Sequence, residues 1–281
     1  MPSSTPNDNG RALEFAVARE FASRGADLTK FASGQLSRYQ SYYSALGDKT
    51  QSDFVLASRK IADWISSQMI ISESTLEMIG DSDPSAANLI LRAEASSIKL
   101  SLKHNHHALK HQRPYSLAIQ SGFSQGSPED SDHRQRMKDV SDLYRGAASG
   151  QTHYNENDTL KMIMLSSICK VCSDSINDWA GRQSGFALDL FRFLVSDDCY
   201  QVVVQTGSSV QVEVSDYSTL HAPTAVSART AAHYLHMKFD NGFELKARLH
   251  TASSKISNPG RQLALKFDTQ KHAGSVPMFT L

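Results

Sequence analysis

A chain of 281 residues, 40% of them hydrophobic, is long enough to enclose a sizeable core and ordinary enough in composition to be globular. Its 29 basic and 29 acidic side chains cancel, which excludes a uniformly basic coat but leaves room for a local basic cleft. There is no apolar run of bilayer length, and Met1 to Asn9 has neither the apolar stretch nor the basic patch of a signal peptide. A cytoplasmic protein with no membrane partner is therefore expected.

Helical spacing opens the chain. From Gly10 to Ala22, Leu13, Ala16, Val17 and Phe21 share one face after a capping cluster at Asn7, Asp8 and Asn9. A second amphipathic helix is expected from about Ser52 to Ile71, with Phe54, Ile61, Trp64, Ile65 and Met69 apolar. Turn chemistry follows at Gly80 to Pro84. Asn88 to Leu91 and Ser97 to Lys103 then read as two strands joined tightly at Ala93 to Ser96. In the second, Ile98, Leu100 and Leu102 alternate with Ser97, Lys99, Ser101 and Lys103.

Ser121 to Arg134 reads as a polar loop, followed by helices at Met137 to Tyr144, Thr159 to Asp178 and Ala187 to Leu194. Cys169 and Cys172 fall inside the second of these. Their CxxC spacing suits a metal or redox site, but in a helical pattern they read as buried core cysteines. From Tyr200 the chain turns to strands: Gln201 to Val204, Val210 to Val214, Tyr234 to Phe239 and Phe243 to His250. Asp240-Asn241-Gly242 is a hairpin signal between the last two. The fold class expected is α+β. One domain over 1–281 is expected, with a helical N-terminal region over 1–75, a hairpin region over 76–120, a helical middle over 136–195 and a β-rich end over 200–281.

The hairpin is where chemistry is expected. A connection centred near Glu94 and Ala95 sets Asn88 opposite Ser101, with Lys103 one step further on the same face. A phosphodiesterase needs metal held by carboxylates and a group that helps water lose its proton. An acid on one strand and a polar-x-Lys on the next supply that arrangement, and Lys103 would orient or deprotonate the water. The same alternation also describes a solvated amphipathic strand. His104 and His106 share a face if the strand continues, so a zinc pair is conceivable. Contacts from this basic stretch to phosphates are the simpler reading, with Lys110, His111 and Arg113 as backbone clamps.

Three segments carry a resemblance. Lys103-His104-Asn105-His106-His107-Ala108-Leu109-Lys110-His111 resembles the KHNHxAxKH segment of the HaeIII family of type II restriction endonucleases. Asn7 to Glu14 is similar to that family's N-terminal NDxGRAxE. Asp240-Asn241-Gly242, then Arg248-Leu249-His250-Thr251-Ala252-Ser253-Ser254-Lys255 and Leu265-Lys266-Phe267-Asp268, resemble its C-terminal block. The matches keep the family's order and span most of the chain, although 121–150 and 196–231 carry no matching motif.

The resemblance implies a PD-(D/E)XK nuclease core: a mixed sheet flanked by helices, with Mg²⁺-binding residues on the central hairpin. It implies cutting of double-stranded DNA at a short palindrome of the GGCC kind, and a methyltransferase acting on the same site. A homodimer would suit a palindrome. Lys103 takes the place of the motif lysine. Ser101 stands where many such enzymes have an acid, and Asn88 where Asp is expected. An amide brings no negative charge to a metal, so Asp83, Asp81 and Glu14 are the candidate substitutes. An inactive DNA-binding relative is the alternative that Asn88 favours. Arg248, His250, Ser254 and Lys255 are the expected DNA contacts in the C-terminal block.

Overall fold

The computed structural model describes residues 6–30, 34–79, 87–94, 96–110, 112–195, 199–273 and 276–281. In chain order the elements are α1 (Pro6–Ser23), β1 (Asp27–Lys30), α2 (Gln35–Ser44), α3 (Asp48–Ser66), β2 (Thr75–Met78), β3 (Leu89–Arg92) and β4 (Ser97–His104). Next come α4 (Leu117–Gln120), α5 (Pro128–Ala147), α6 (Asp158–Arg182), α7 (Phe186–Val195), β5 (Cys199–Gln205) and β6 (Gln211–Asp216). The chain ends with β7 (Val226–Ala231), β8 (Tyr234–Phe239), β9 (Glu244–Thr251), β10 (Leu265–Ala273) and β11 (Met278–Thr280). The class is α+β: a mixed seven-stranded sheet flanked by helices, and a β-rich C-terminal region. The turn expected at 80–84 lies outside the described residues.

The chain forms two compact units, each discontinuous in sequence. The first comprises 1–107, 195–219 and 276–281; the second comprises 108–194 and 220–275. The β-rich end is thus shared between two sheets, because alternation shows that a segment is a strand and not which sheet it joins.

In the first unit the strand order is β1-β2-β3-β4-β5-β6-β11. Strands β2, β3 and β4 form an antiparallel meander, and β5 lies parallel to β4. One face is apolar. Leu89, Leu91, Ile98, Leu100, Leu102, Val202, Val204, Val212 and Val214 share a core with Leu13, Ala16 and Val17 of α1 and Phe54, Ile61 and Ile65 of α3. Both expected helices are present, and α1 begins before the expected Gly10. Strand β1 and helix α2 were not expected; each is short and lacks a clean apolar period.

The second unit pairs its strands in the order β10-β9-β8-β7, all antiparallel. Helix α6 lies along β7, and Asn177 plugs that edge. Its Nδ2 donates to the Ala228 carbonyl and its Oδ1 accepts from the Ala228 amide, both at 2.8 Å. Phe191 of α7 packs on Phe239 and Phe243. The expected loop 121–134 is a helix from Pro128 onward. Ser127 accepts the Asp130 amide at its N-terminus, Pro128 takes the first position, and Glu129 and Asp130 fill the first turn. The polar composition masked a standard helix start. Among the described residues no helix is long and apolar enough to cross a membrane.

Candidate active-site face and candidate nucleic-acid contacts

The hairpin β3–β4 has the register expected of it. Leu89 stands opposite Leu100 and Ile90 opposite Lys99. One step further, the Asn88 amide donates to the Leu100 carbonyl at 2.7 Å, and Asn88 Oδ1 accepts from the Leu102 amide at 2.8 Å. Asn88 therefore faces Ser101. This bond uses one of the two lone pairs on the side-chain oxygen, and the amide carries no net charge.

Register across the sheet extends the site beyond the hairpin. Ser101 stands beside Gln201, and Gln201 beside Ser215. Asn88, Ser101, Gln201 and Ser215 thus make a polar row across four strands. The last three are 6%, 1% and 4% exposed, so this part of the row is held away from solvent, while Asn88 is half-buried. One pleat further along, Lys103 stands beside Val203, and Val203 beside Glu213. Two strand spacings of about 4.8 Å put Glu213 on the same face, roughly 10 Å from Lys103 by backbone.

Glu213 accepts from Gln205 Nε2 at 2.9 Å and lies 3.3 Å from His107 Nε2. Gln201 Nε2 donates to the His107 carbonyl at 3.4 Å, so the segment after β4 folds back over the face. Sequence reasoning missed Glu213, Gln201 and His107. Alternation put Gln201 and Glu213 on the polar side of their strands, but only the parallel pairing of β4 with β5 sets them beside Lys103.

The histidine-rich segment does not continue as a strand. Asn105 has φ 58°, a left-handed conformation that ends the alternation, so His104 and His106 no longer share a strand face. Asn105 Oδ1 accepts the Thr206 amide at 2.9 Å and its Nδ2 donates to Thr206 Oγ1 at 3.3 Å. His104 Nε2 lies 2.9 Å from the same hydroxyl, and its ring meets Phe54 edge-on at 4.9 Å. Burial holds the His104 imidazole below its ordinary pKa, partly opposed by the Asp53 carboxylate. His104 and Asn105 thus cap the ends of β4 and β5, while His106 is exposed.

For Mg²⁺, the donors described on the hairpin are an amide and a hydroxyl, and the ion prefers one or two carboxylates. Among the described residues no group of three or more His, Cys, Asp or Glu side chains is arranged to hold a metal. Asp81 and Asp83 lie outside the described residues. Glu14 is buried on α1 at 7% exposure. The described hairpin donors do not by themselves make the charged cage that the ion requires.

In the second unit, Lys110 is half-buried with its ammonium 5.2 Å from the Phe193 ring centre, and Arg113 is exposed. His111 lies outside the described residues. Arg248 and His250 project from the outer face of β9, with His250 Nε2 at 2.5 Å from Asp268 and Arg248 opposite that residue. Ser254 and Lys255 are exposed, and the Ser254 carbonyl accepts the Tyr154 amide at 3.1 Å. A short antiparallel backbone pairing sets Lys255 beside His153, and Lys255 lines a cleft of about 530 Å³ with Arg145, Thr152 and Asn258.

The Asp240-Asn241-Gly242 motif has a structural use. Asp240 accepts from the Thr224 hydroxyl at 2.5 Å and amide at 3.0 Å, which holds its pKa below the usual carboxylate range. Asn241 Oδ1 accepts the Phe243 amide, and Gly242 has φ 84°. Cys169 and Cys172 are free, buried helix residues; burial pushes the Cys169 thiol up to about 12 and holds that of Cys172 well above its ordinary value. They are protonated core side chains at neutral pH. Comparison of the chain with protein-family models, curated proteins and solved structures finds no match.

Proposed function

We propose that this protein is a DNA-cutting enzyme of the type II restriction-endonuclease kind, hydrolysing phosphodiester bonds of double-stranded DNA at a short palindrome with Mg²⁺ as its metal. The observation that carries the reading is the polar face of β3–β4, where Asn88, Ser101 and Lys103 align on the strands that the HaeIII-family resemblance assigns to catalysis. The antiparallel meander β2-β3-β4 with β5 parallel to β4, covered by α1 and α3, is compatible with a PD-(D/E)XK core.

Lys103 is the assigned group for orienting water and offsetting charge on the phosphate. Ser101 and Asn88 position the hairpin, and an acid outside the hairpin would complete the metal site, with Asp83 and Glu14 as the sequence candidates. His106, Lys110, His111, Arg113, Arg248, His250, Ser254 and Lys255 remain the proposed DNA contacts. The structural bonds of His104 and Asn105 make them supports for the β4 and β5 ends in this reading. A homodimer and a methyltransferase of matching specificity complete the proposal.

A second reading has a specific observation behind it. Asn88 Oδ1 is engaged by the Leu102 amide, which leaves the hairpin an uncharged amide where a cutting site would have a carboxylate, as in a protein that binds its site without cutting. Digestion of a plasmid of known sequence, with Mg²⁺ and with Mn²⁺, separates the two. The enzyme reading expects discrete fragments that EDTA abolishes. The second reading expects none from the unaltered protein and fragments from Asn88→Asp, whose carboxylate can keep the Leu102 bond while adding charge. Silence from both would overturn catalysis at this hairpin.

A further inference from the structure

The outer face of the four-stranded sheet has a pattern that the motifs do not capture. Strand β7 places Ser227 and Arg229 outward, opposite Lys238 and His236 of β8. Strand β9 continues the rows, with Glu244 opposite Lys238, Lys246 opposite His236, and Arg248 opposite Tyr234. Strand β10 adds Lys266 beside His250 and Asp268 beside Arg248. The alternate residues Leu235, Met237, Phe239, Leu245, Ala247 and Leu249 are buried, so the basic set belongs to the opposite, outward face.

Among the described residues, Arg229, Lys238, Lys246, Arg248 and Lys266 thus share one face with two carboxylates, Glu244 and Asp268. The chain as a whole has no net charge, so this is a local concentration. Lys238 pairs with Glu244 at 3.2 Å, and Lys246 sits 4.4 Å from the Tyr234 ring centre. A groove of about 560 Å³ crosses the face between Arg229, His236, Lys238 and Lys246.

We infer that this face tracks the phosphate backbone of double-stranded DNA; the inference rests on the DNA reading above and names a surface for it. Scale supports phosphate contact over base reading. Three strand spacings make a face about 14 Å wide, which exceeds the major groove of about 12 Å. A face of this width lies across the groove edges, against phosphates. Outward residues two apart on one strand step about 6.8 Å, the axial advance of two nucleotides at about 3.4 Å each. No exposed large hydrophobic among the described residues lies on this face, which disfavours insertion into a lipid surface.

The test is binding of the full chain to a labelled random-sequence duplex in EDTA over a salt series, so that cutting plays no role. The triple variant Arg229→Gln/Lys238→Gln/Lys246→Gln is compared with Lys49→Gln/Lys138→Gln/Lys170→Gln, which removes the same charge from exposed helix positions. The first should flatten the slope of log affinity against log salt by about 3, one per lost contact, and weaken all duplex sequences alike. The second should leave the slope unchanged. Arg229→Lys/Lys238→Arg/Lys246→Arg should restore it, which a merely misfolded triple variant would not explain. Equal loss in both triple-Gln variants, or in neither, overturns the inference, as does binding of single-stranded RNA in preference to duplex. Plasmid cutting in Mg²⁺ is scored separately: a sheet-dependent slope without cutting removes only the catalytic proposal, while cutting with an unchanged slope removes only this surface.

Discussion

The two sheets bury one face in the same way and differ in what they do with the other. In the seven-stranded sheet the second face keeps Ser101, Gln201 and Ser215 nearly out of solvent, beside the half-buried Lys103. In the four-stranded sheet the second face presents Arg229 and Lys238 to water, with Lys246 half-buried against the Tyr234 ring. A polar group taken out of water is costly unless its bonds are made, so a buried polar row needs partners at fixed positions. Solvated charge costs little and acts at a distance on an anionic partner. The first face thus holds polar groups at fixed positions, and the second carries solvated charge.

The sharpest way to break this comparison is Lys103→Ala. Cutting should fall by about a hundredfold or more, the usual range for a proton-transfer group, with duplex binding kept; gel assays of both read it directly. Unchanged cutting would place the chemistry elsewhere. Next, the apolar faces should behave alike. Leu100→Ala and Leu245→Ala, both at buried positions, should each cost about 2–5 kcal/mol by urea denaturation.

The polar faces should then diverge. Asn88→Ala strands the Leu102 amide and should cost about 1–3 kcal/mol, whereas Lys238→Gln, on the exposed face, should stay within about 0.5 kcal/mol of the parent. A similar cost for both would erase the distinction drawn between the sheets.

Acid should act on the second unit through His133. Burial chiefly, with Arg136 adding to it, holds this imidazole below its ordinary 6.5, although the Pro114 carbonyl pulls the other way. Its ring nitrogens meet Pro114 O at 2.7 Å and Ser175 Oγ at 2.8 Å. A depressed folded pKa means that the unfolded chain binds the proton more readily. This contribution is therefore present above about pH 6.5 and is lost as pH falls through the lower folded value. Thermal melts from pH 7.5 to 5 should show a decline that is smaller in His133→Gln. Ser127→Ala should cost about 1 kcal/mol, from the lost helix cap.

Periodicity and turn chemistry determined a good deal on their own. Leu13, Ala16 and Val17 repeat at helical spacing, Ile98, Leu100 and Leu102 alternate, and Asp240-Asn241-Gly242 demands a turn. Each of these follows from local geometry acting on neighbouring residues. The register of Asn88 against Ser101 was legible as well, because a short connection leaves a hairpin little freedom. Tertiary structure alone decided that Gln201 and Glu213 share a face with Lys103, since β4 and β5 are parallel partners separated by 94 residues between His104 and Cys199. It alone decided that Asn105 ends its strand against Thr206, and that outward residues of four separate strands make one basic face. A sequence records which way each side chain alternates within its own strand; neighbours across a sheet are chosen by packing between segments far apart in the chain.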